Sequence, residues 1–438
     1  MRSARILQLA LLPLVALAGS PMAMPVAAAP RVAVRAPADD AVARAIRDRA
    51  GGWMADVYRA RGWRPLWIDD GRIGPAARAL TGYLDTSDAD GLKRADGVAA
   101  KLREKIASAR AGDAGTMAAA ELALSDAFVR YVRDQRKPGR VKMIWADMTL
   151  KAKRPDKAVV LRAAAFAKSF DDYVADMGWM SPHYVRLRDL MVTVRARHDD
   201  PRAIARLRLN LDRARLLPGP GTRHIVVDAS SGRLWYYEAG REVGTMRVVV
   251  GAQETQTPML AGTVQWAILN PYWNVPTYLA RKSVAPKVLA GRSLKSLRME
   301  ALSDWSAAAH TLPASAIDWH AVASGAIEVR LRELPGAGNS MGRVKFLFPN
   351  DEGIYLHDTP ERELLDRTDR HLSNGCIRLA DAPALTKWLL QKPLGAAGRT
   401  PEQATPLPVP VPVYLTYLTV QDDTKRLAFR PDIYGRDG

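Results

Sequence analysis

Cys376 is the single cysteine of the chain and closes the short sequence Ser373-Asn374-Gly375-Cys376. His357 lies 19 positions earlier, at the end of the run 353–356, whose composition is typical of a strand. A cysteine attacks carbonyl carbons as its thiolate, and a thiol of ordinary pKa needs a neighbouring base to remove its proton. A thiol and an imidazole delivered by one loop therefore predict nucleophilic acyl transfer.

Gly375 shapes the surroundings of the thiol. A residue without a Cβ lets a substrate carbonyl approach the backbone, and backbone N–H groups at such a turn can bind the oxyanion of a tetrahedral intermediate. His371 is closer to Cys376 in sequence than His357 is, but it lies inside the loop, so sequence distance alone leaves the base unassigned. The alternative for Cys376 is burial as a small apolar side chain. Its polar neighbours argue against a core strand there.

The chain has 438 residues and a net charge of +18. That length accommodates two or three domains, and the charge indicates an anionic partner. A basic start at 1–5, an apolar run at 6–18 and small residues up to 28 predict a cleaved signal peptide over 1–28 and export to the periplasm. An uncleaved anchor is the alternative. Export disfavours nucleic acid and favours an acidic envelope polymer, and no transmembrane span is expected after signal removal.

The first half of the chain has a helical pattern. Residues 29–40 are predicted to be a flexible lead-in, and 41–217 a helical scaffold domain, because apolar residues recur there at helical spacing. The first helix is predicted to run from Asp40 to a stop at Gly62. The sequence Asp88-Ala89-Asp90-Gly91 resembles part of a calcium loop but lacks the remaining ligands, so it is predicted to be a turn.

The second half changes to a strand pattern after the Pro/Gly-rich boundary at 217–221. A mainly β catalytic domain is predicted over 222–395, and a Pro-rich linker with C-terminal strands packing on that domain over 396–438. The fold class is therefore α+β. Strands are predicted at 224–228, 234–237, 243–250, 262–268, 326–332, 343–348, 353–357, 411–420 and 427–430, and helices at 277–289 and 383–391.

His357, the loop after it and the sequence Ser373-x-Gly375-Cys376 resemble the signature of the L,D-transpeptidases. The flanking segments are similar to that family as well, and the aromatic stretch 58–67 is similar to the scaffold domain of its large periplasmic members. The resemblance extends from about residue 40 to the end and is stronger in the second half. Its flanking segments are 270–276, 342–350, 355–360 and 432–437.

The resemblance implies an enzyme that cross-links peptidoglycan. Cys376 would attack the carbonyl before the terminal D-alanine of a donor tetrapeptide stem, release D-alanine and form a thioester. The side-chain amine of diaminopimelate on an acceptor stem would then give a 3→3 cross-link. His357 would be the acid/base, the backbone carbonyl of Asp358 would orient its ring, and the N–H groups of Gly375 and Cys376 would bind the oxyanion. No metal or organic cofactor is implied, and a carbapenem is expected to acylate Cys376.

Four further residues are predicted to contact the substrate: Arg378, Ser373, Asn374 and Tyr355. Arg378 would bind a stem carboxylate through its planar guanidinium, with a surface ion pair as the equal alternative. Ser373 can instead hydrogen-bond within its own turn. Many family members have histidine where this chain has Asn374, whose amide does not titrate. Proton transfer would then depend more on His357, or on a contribution from His371.

Two other functions remain open from the sequence. A cysteine hydrolase, either carboxypeptidase or endopeptidase, would use the same residues on stem peptides with water as the acceptor. A non-catalytic wall-binding protein would have lost the activity. Asn374 favours this second alternative, whereas the retained pair of Cys376 and His357 argues against it.

Overall fold

The structure is a computed structural model that describes residues 37–110, 112–197, 200–306, 308–393, 400–421 and 426–438. The predicted signal peptide lies outside the described residues, as does the predicted lead-in up to residue 36. Residues 37–40, predicted to be flexible, instead begin the first helix. Among the described residues, no helix is both long enough and apolar enough to cross a membrane.

The first half is helical. Its helices and short strands are α1 (Pro37–Arg49), α2 (Gly52–Ala60), β1 (Ile68–Asp69), β2 (Arg72–Ile73), α3 (Pro75–Asp85), α4 (Asp96–Ser108), α5 (Ala114–Gln135), β3 (Ile144–Trp145), α6 (Lys157–Ala165), α7 (Phe170–Ala175), α8 (Pro182–Ala196) and α9 (Pro201–Ala214), with 3₁₀ turns at Ser87–Asp90 and Met148–Leu150. Capping sets several of the starts. At α9, the Asp200 side chain accepts the Arg202 N–H and Pro201 occupies the first turn, a combination typical of a helix start.

The predicted first helix is in fact two helices. Gly51 has extended backbone angles and Gly52 has a φ of 53°, so the chain turns between α1 and α2. The periodicity of apolar residues continues across this break because both helices bury side chains in one core, which conceals the turn. Tyr58 and Trp67 are fully buried in that core.

The second half contains most of the strands. They are β4 (His224–Asp228), β5 (Arg233–Glu238), β6 (Arg241–Gly251), β7 (Leu260–Leu269), β8 (Trp273–Val275), β9 (Met299–Leu302), β10 (Thr311–Leu312), β11 (Arg330–Glu333), β12 (Val344–Leu347), β13 (Leu356–His357), β14 (His371–Ser373), β15 (Ile377–Leu379) and β16 (Gln403–Thr416). The helices are α10 (Thr277–Leu279), α11 (Ala285–Leu289), α12 (Trp319–Ser324) and α13 (Ala382–Leu390), with a π-turn at Ala280–Val284 and 3₁₀ turns at Gln253–Thr255, Ala314–Ala316 and Arg362–Asp366. The α+β fold class is confirmed.

The main sheet has the strand order β12-β13-β15-β6-β5-β4-β16-β7-β3, and β12 also pairs with β7, so the path closes on itself. Pairing is antiparallel except for the neighbours β13–β15, β16–β4 and β3–β7, and for β14 beside β6. The sheet surrounds an apolar core to which Phe346, Leu356 and Ile377 all contribute. This core supports β13, which carries His357, and β15, which directly follows Cys376.

A separate lobe, formed by residues 273–333, lies between β7 and β12. Its strands form a four-stranded sheet of order β10-β9-β11-β8, and its apolar residues form a core of their own around Trp319 and Leu331. Only the helix at 277–289 and the strand at 326–332 are predicted from the sequence, and the strand is shorter, as β11. The other strands of this lobe are only two to four residues long, and such short segments have no detectable period.

The Pro-rich segment predicted as a linker is instead largely strand β16. Its first half pairs only with β7, and the second neighbour, β4, joins from Val413 onward. A strand edge without a second partner tolerates residues that lack an N–H, so Pro406 and Pro412 are accommodated. The predicted final strand at 427–430 is reduced to a single bridge between Val420 and Phe429.

The residues after β16 contact both halves of the chain. Leu418 and Val420 are buried in the helical core, whereas Tyr417 and Tyr434 stack on each other beside the sheet. Asp437 accepts hydrogen bonds from two arginines of α9. The C-terminal segment therefore packs on the helical half as well as on the predicted catalytic domain.

The turn that contains Asp90 is the polar centre of the helical half. The buried Asp90 carboxylate accepts hydrogen bonds from Tyr131, Gln135, Tyr184 and Arg188 at 2.7–3.1 Å, and Arg188 is 3% exposed. A buried cation depends on its counter-ion, because removing one partner leaves an uncompensated charge. The residue is therefore part of the core rather than a calcium ligand on a surface loop.

We expect Asp90→Asn to lower the free energy of unfolding by about 3–5 kcal/mol, because Arg188 loses its buried counter-ion. The matched control is Asp88→Asn, whose partly exposed pair with Arg195 should be worth less than about 1 kcal/mol. Denaturant unfolding followed by tryptophan fluorescence measures both. Equal losses for the two variants would contradict the assignment.

Candidate functional site

The residues predicted to carry the chemistry lie on one face of neighbouring strands. Lys345 of β12 pairs with His357 of β13, and His357 pairs with Arg378 of β15. Paired residues share a face and successive residues alternate, so this row of three side chains faces away from the core. Cys376 precedes β15 by one residue, two positions before Arg378, so the alternation gives it the same face. The same reasoning gives that face to Tyr355, two positions before His357.

The cysteine turn is held by hydroxyl groups. Ser373 Oγ donates to the Cys376 carbonyl at 2.6 Å and accepts the Gly375 N–H at 3.2 Å. The Gly375 carbonyl accepts from buried Thr257 Oγ1 at 2.7 Å, and Thr257 is held in turn by the Gly251 N–H at 2.9 Å. The segment after β6 therefore fixes the turn to the end of a central strand.

Gly375 has a φ of 106°, which side chains other than glycine rarely allow. A Cβ at this position would lie 3.1 Å from Ile354 Cδ1. The turn before the cysteine therefore requires glycine for its backbone conformation as well as for space. This requirement adds a physical reason for the Gly–Cys sequence that is independent of catalysis.

The imidazole of His357 is buried and has one defined tautomer. Its Nδ1 lies 2.6 Å from the backbone carbonyl of Asp358, and a carbonyl only accepts, so Nδ1 carries the proton. Nε2 is then left with its lone pair. Burial lowers the pKa of His357 to about 4, and the charges of Arg378 and Lys345 lower it further, against the raising effect of the Asp358 hydrogen bond. The imidazole is therefore neutral near pH 7 and able to accept a proton.

The thiol of Cys376 is partly exposed, and its Sγ lies 3.5 Å from the Gly353 carbonyl, to which it donates. Burial of its surroundings raises the pKa of the thiol to about 11, although a backbone hydrogen bond from Tyr355 and the charge of Arg378 lower it. A thiol of high pKa and an imidazole of low pKa on the same face are both neutral near pH 7. Proton transfer from sulfur to His357 would then accompany attack rather than precede it.

The two backbone N–H groups predicted to bind the oxyanion differ in this structure. The Gly375 N–H donates to Ser373 Oγ, whereas the Cys376 N–H has no partner in the described part of the chain. Ser373 is 2% exposed and its hydroxyl spans the turn, so it braces the backbone here. The oxyanion role of Gly375 and the substrate contact of Ser373 stay predictions.

Asp358 uses its side chain to hold the strands next to the histidine. One carboxylate oxygen accepts from Arg362 Nη2 at 2.6 Å, and the other accepts the Arg343 N–H at 2.9 Å. The carboxylate lies where a Cβ on Gly342 would stand, at 2.5 Å, and Gly342 has a φ of 61°. The carbonyl that fixes the imidazole is therefore itself fixed from two sides.

Arg378 forms an ion pair with Glu361, so the structure shows the surface ion pair that was one of its two predicted roles. Tyr355 is half-buried, and the thiolate form of Cys376 raises the pKa of its phenol beyond the effect of burial. Asn374 is exposed at the tip of the turn.

His371 is held by Asp369 at 2.6 Å and packs edge-on against Tyr434. A role for His371 in proton transfer stays a prediction.

Three residues of the site are not identified from the sequence. Tyr278 of α10 is 40% exposed, and the thiolate form of Cys376 adds to burial in raising the pKa of its phenol, so this part of the separate lobe lies within electrostatic range of the sulfur. Lys345 and Glu361 complete the surroundings of His357 and Arg378. Their only signal in the sequence is the polar position of Lys345 within an apolar strand. Among the described residues, no three His, Cys, Asp or Glu side chains are grouped as a metal would require.

The neutral state of Cys376 can be tested by following the ultraviolet absorbance of its thiolate as the pH is raised. We expect no thiolate absorbance from Cys376 between about pH 5 and about pH 9, because burial raises the thiol pKa well above its ordinary value of about 8.5. The difference spectrum between the wild type and Cys376→Ala isolates the thiolate. The urea-unfolded chain is the positive control and should titrate near the ordinary value. Thiolate absorbance at neutral pH in the folded protein would instead indicate an ion pair.

The turn geometry predicts a stability effect. Gly375→Ala should lower the free energy of unfolding by about 1–3 kcal/mol, because the residue must adopt a φ that alanine avoids and the Cβ meets Ile354. Gly435→Ala is the control, since its φ of 64° is less restrictive and nothing lies within 4 Å of the added Cβ. Calorimetric unfolding of both variants measures the two losses in stability. Equal shifts would mean that the turn relaxes without strain.

Comparisons with known proteins follow the division of the chain. The YkuD family, the L,D-transpeptidase catalytic domain, matches residues 222–412, and the Scaffold domain family matches residues 52–191. A Haemophilus influenzae protein, provisionally named an L,D-transpeptidase, is 24% identical over 397 residues, which cover 88% of this chain and 78% of that protein.

Two solved structures also match. The Ldtfm–avibactam carbamoyl enzyme is 14% identical over 46% of this chain and 49% of its own, with a TM-score of 0.22. An L,D-transpeptidase from Mycobacterium smegmatis is 13% identical over 44% of this chain and 58% of its own, with a TM-score of 0.21. This chain thus spans about half of each, and superpositions this poor carry no weight. The sequence matches carry the assignment: the chain contains an L,D-transpeptidase catalytic domain over residues 222–412, with a Scaffold domain ahead of it.

Proposed function

We propose that this protein is a peptidoglycan L,D-transpeptidase that forms 3→3 cross-links in the periplasm. The observation that supports this most directly is the common face of Cys376 and His357 within the matched catalytic domain. His357 is neutral, and its proton is fixed on Nδ1 by Asp358. The net charge of +18 suits an acidic wall polymer, and the N-terminal pattern supports export.

The first half-reaction acylates the enzyme. Cys376 Sγ forms a bond to the carbonyl carbon before the terminal D-alanine of the donor tetrapeptide, while its proton passes to His357 Nε2. The Cys376 N–H stabilises the oxyanion of the tetrahedral intermediate. The bond to the D-alanine nitrogen then breaks, and that nitrogen leaves with the proton from His357. A thioester and free D-alanine result.

The second half-reaction uses the same groups in reverse order. The side-chain amine of diaminopimelate on an acceptor stem attacks the thioester carbonyl, and His357 takes the proton that the amine loses. The carbon–sulfur bond breaks, and the sulfur recovers a proton from His357. The new amide bond is the 3→3 cross-link. Both Tyr278 and Tyr355 lie within electrostatic range of the Cys376 sulfur, which supports a role for them in contacting the two stems.

Incubation of the purified protein with disaccharide-tetrapeptide, followed by mass spectrometry, tests this function. We expect a cross-linked dimer with loss of D-alanine from the wild type and none from Cys376→Ala, which lacks the nucleophile. His357→Gln should lower the rate at least about 100-fold, as is typical for loss of a general base. A covalent carbapenem adduct on Cys376 is also expected.

Each other product assigns a different function. Tripeptide without dimer would indicate a hydrolase that uses water as acceptor. An inert wild type that also fails to form the carbapenem adduct would indicate a wall-binding protein. The matched control is Ser231→Ala, a change in the turn between β4 and β5 that should leave both products unchanged.

A further inference from the structure

The two cations beside the catalytic histidine are each neutralised by a glutamate. Arg378, on one side of His357, pairs with Glu361, and Lys345, on the other side, pairs with Glu402 at 2.9 Å. Both cations act on His357, since each lowers its pKa. Arg378 also acts on the thiol, because its charge lowers the pKa of Cys376. The protein thus places its own carboxylates on the positive charges of the site.

The two glutamates are held very differently. Glu402 accepts the Tyr272 N–H at 2.7 Å in addition to Lys345, and its own N–H donates to the Asn270 carbonyl. The Glu361 side chain is 52% exposed, and within the described residues its carboxylate contacts Arg378 alone. Arg378 is only 16% exposed. Glu361 is therefore the carboxylate that can swing away while its cation stays in place.

We propose that Glu361 is an exchangeable stand-in for the substrate carboxylate: it occupies Arg378 in the free enzyme and is displaced when the donor binds. An exposed ion pair is worth about 1 kcal/mol or less, so displacement costs little. A largely buried guanidinium without any anion would be less favourable, and the exchange never leaves Arg378 unpaired. Glu361 keeps the Arg378 guanidinium in position and prevents weakly binding anions from occupying it.

The position of Arg378 indicates which carboxylate it takes. Residues two apart along a strand are separated by about 7 Å, and Cys376 and Arg378 are such a pair. The long side chain of Arg378 can span part of this distance and so can reach a carboxylate one residue beyond the carbonyl that Cys376 attacks. In the proposed donor this is the carboxylate of the leaving D-alanine. The inference rests on the proposed function for the identity of this ligand, but not for the exchange itself.

Alkylation of Cys376 tests the exchange without any transpeptidase activity. Iodoacetate and iodoacetamide are nearly equal in size and differ by one negative charge, so their rate ratio reports the free positive charge beside the thiol. We expect Glu361→Gln to raise the iodoacetate/iodoacetamide ratio about three- to tenfold, and Arg378→Gln to abolish that gain in the double variant. Glu402→Gln removes an equal charge nearby and is the matched control, expected to change the ratio less than about twofold.

Donor kinetics test the consequence. With the tetrapeptide donor, Glu361→Gln should lower KM about three- to tenfold and leave kcat within about twofold, because competition is removed only before binding. With a donor whose terminal carboxylate is replaced by an amide, Glu361→Gln should leave KM unchanged. If the role of Glu361 were purely structural, Glu361→Gln would lower kcat with both donors and would also lower the stability of the protein.

The outcomes separate the two claims. An unchanged alkylation ratio in Glu361→Gln, or an equal rise in Glu402→Gln, overturns the exchange. A raised ratio with no turnover of either donor keeps the exchange and overturns the proposed function. A raised ratio with the same KM change for both donors overturns the assignment to the leaving D-alanine carboxylate.

Discussion

The parallel pairing of β13 with β15 is the contact on which the candidate site depends. It places His357 beside Arg378 and brings the residue before β15, Cys376, to the same face. The opposite face of the same pair is apolar and fully buried, so a slip of one residue would exchange the functional and core faces. The core residues Leu356 and Ile377 therefore fix the register on which the chemistry depends.

Burial sets the protonation states of the site. The same surroundings that lower the pKa of His357 raise that of Cys376, so both groups are neutral at rest. This arrangement differs from a thiolate–imidazolium pair, which would require charges to be stabilised in a dry environment. A neutral thiol is also less reactive toward oxidants, since oxidation proceeds through the thiolate. This protects the lone cysteine from oxidation.

Local patterns in the sequence predict some features of the fold well. The α+β class, the change from helices to strands near 217–221 and the cap at Asp200 all follow from composition, periodicity or short motifs, whereas the roles of Cys376 and His357 stay predictions. Features set by partners far along the chain are missed. The strand β16 contains prolines that are tolerated only because of its edge position, and Asp90 becomes a core residue only because α5 and α8 surround it. Glu361 has no local signature, since its role is defined by a partner 17 residues away.

The two ends of the lobe between β7 and β12 lie side by side where the chain leaves and re-enters the sheet. At this point Leu269 of β7 pairs with Val344 of β12, and the Asn270 N–H donates to the Arg343 carbonyl at 3.0 Å. Because the lobe has its own apolar core, it can change in size or sequence with little effect on the strands that hold His357 and Cys376. Tyr278 of this lobe nevertheless lies within electrostatic range of the Cys376 sulfur. The fold is thus modular: the lobe can vary, and with it the molecules that gain access to Cys376, while the strands that carry the reactive residues stay the same.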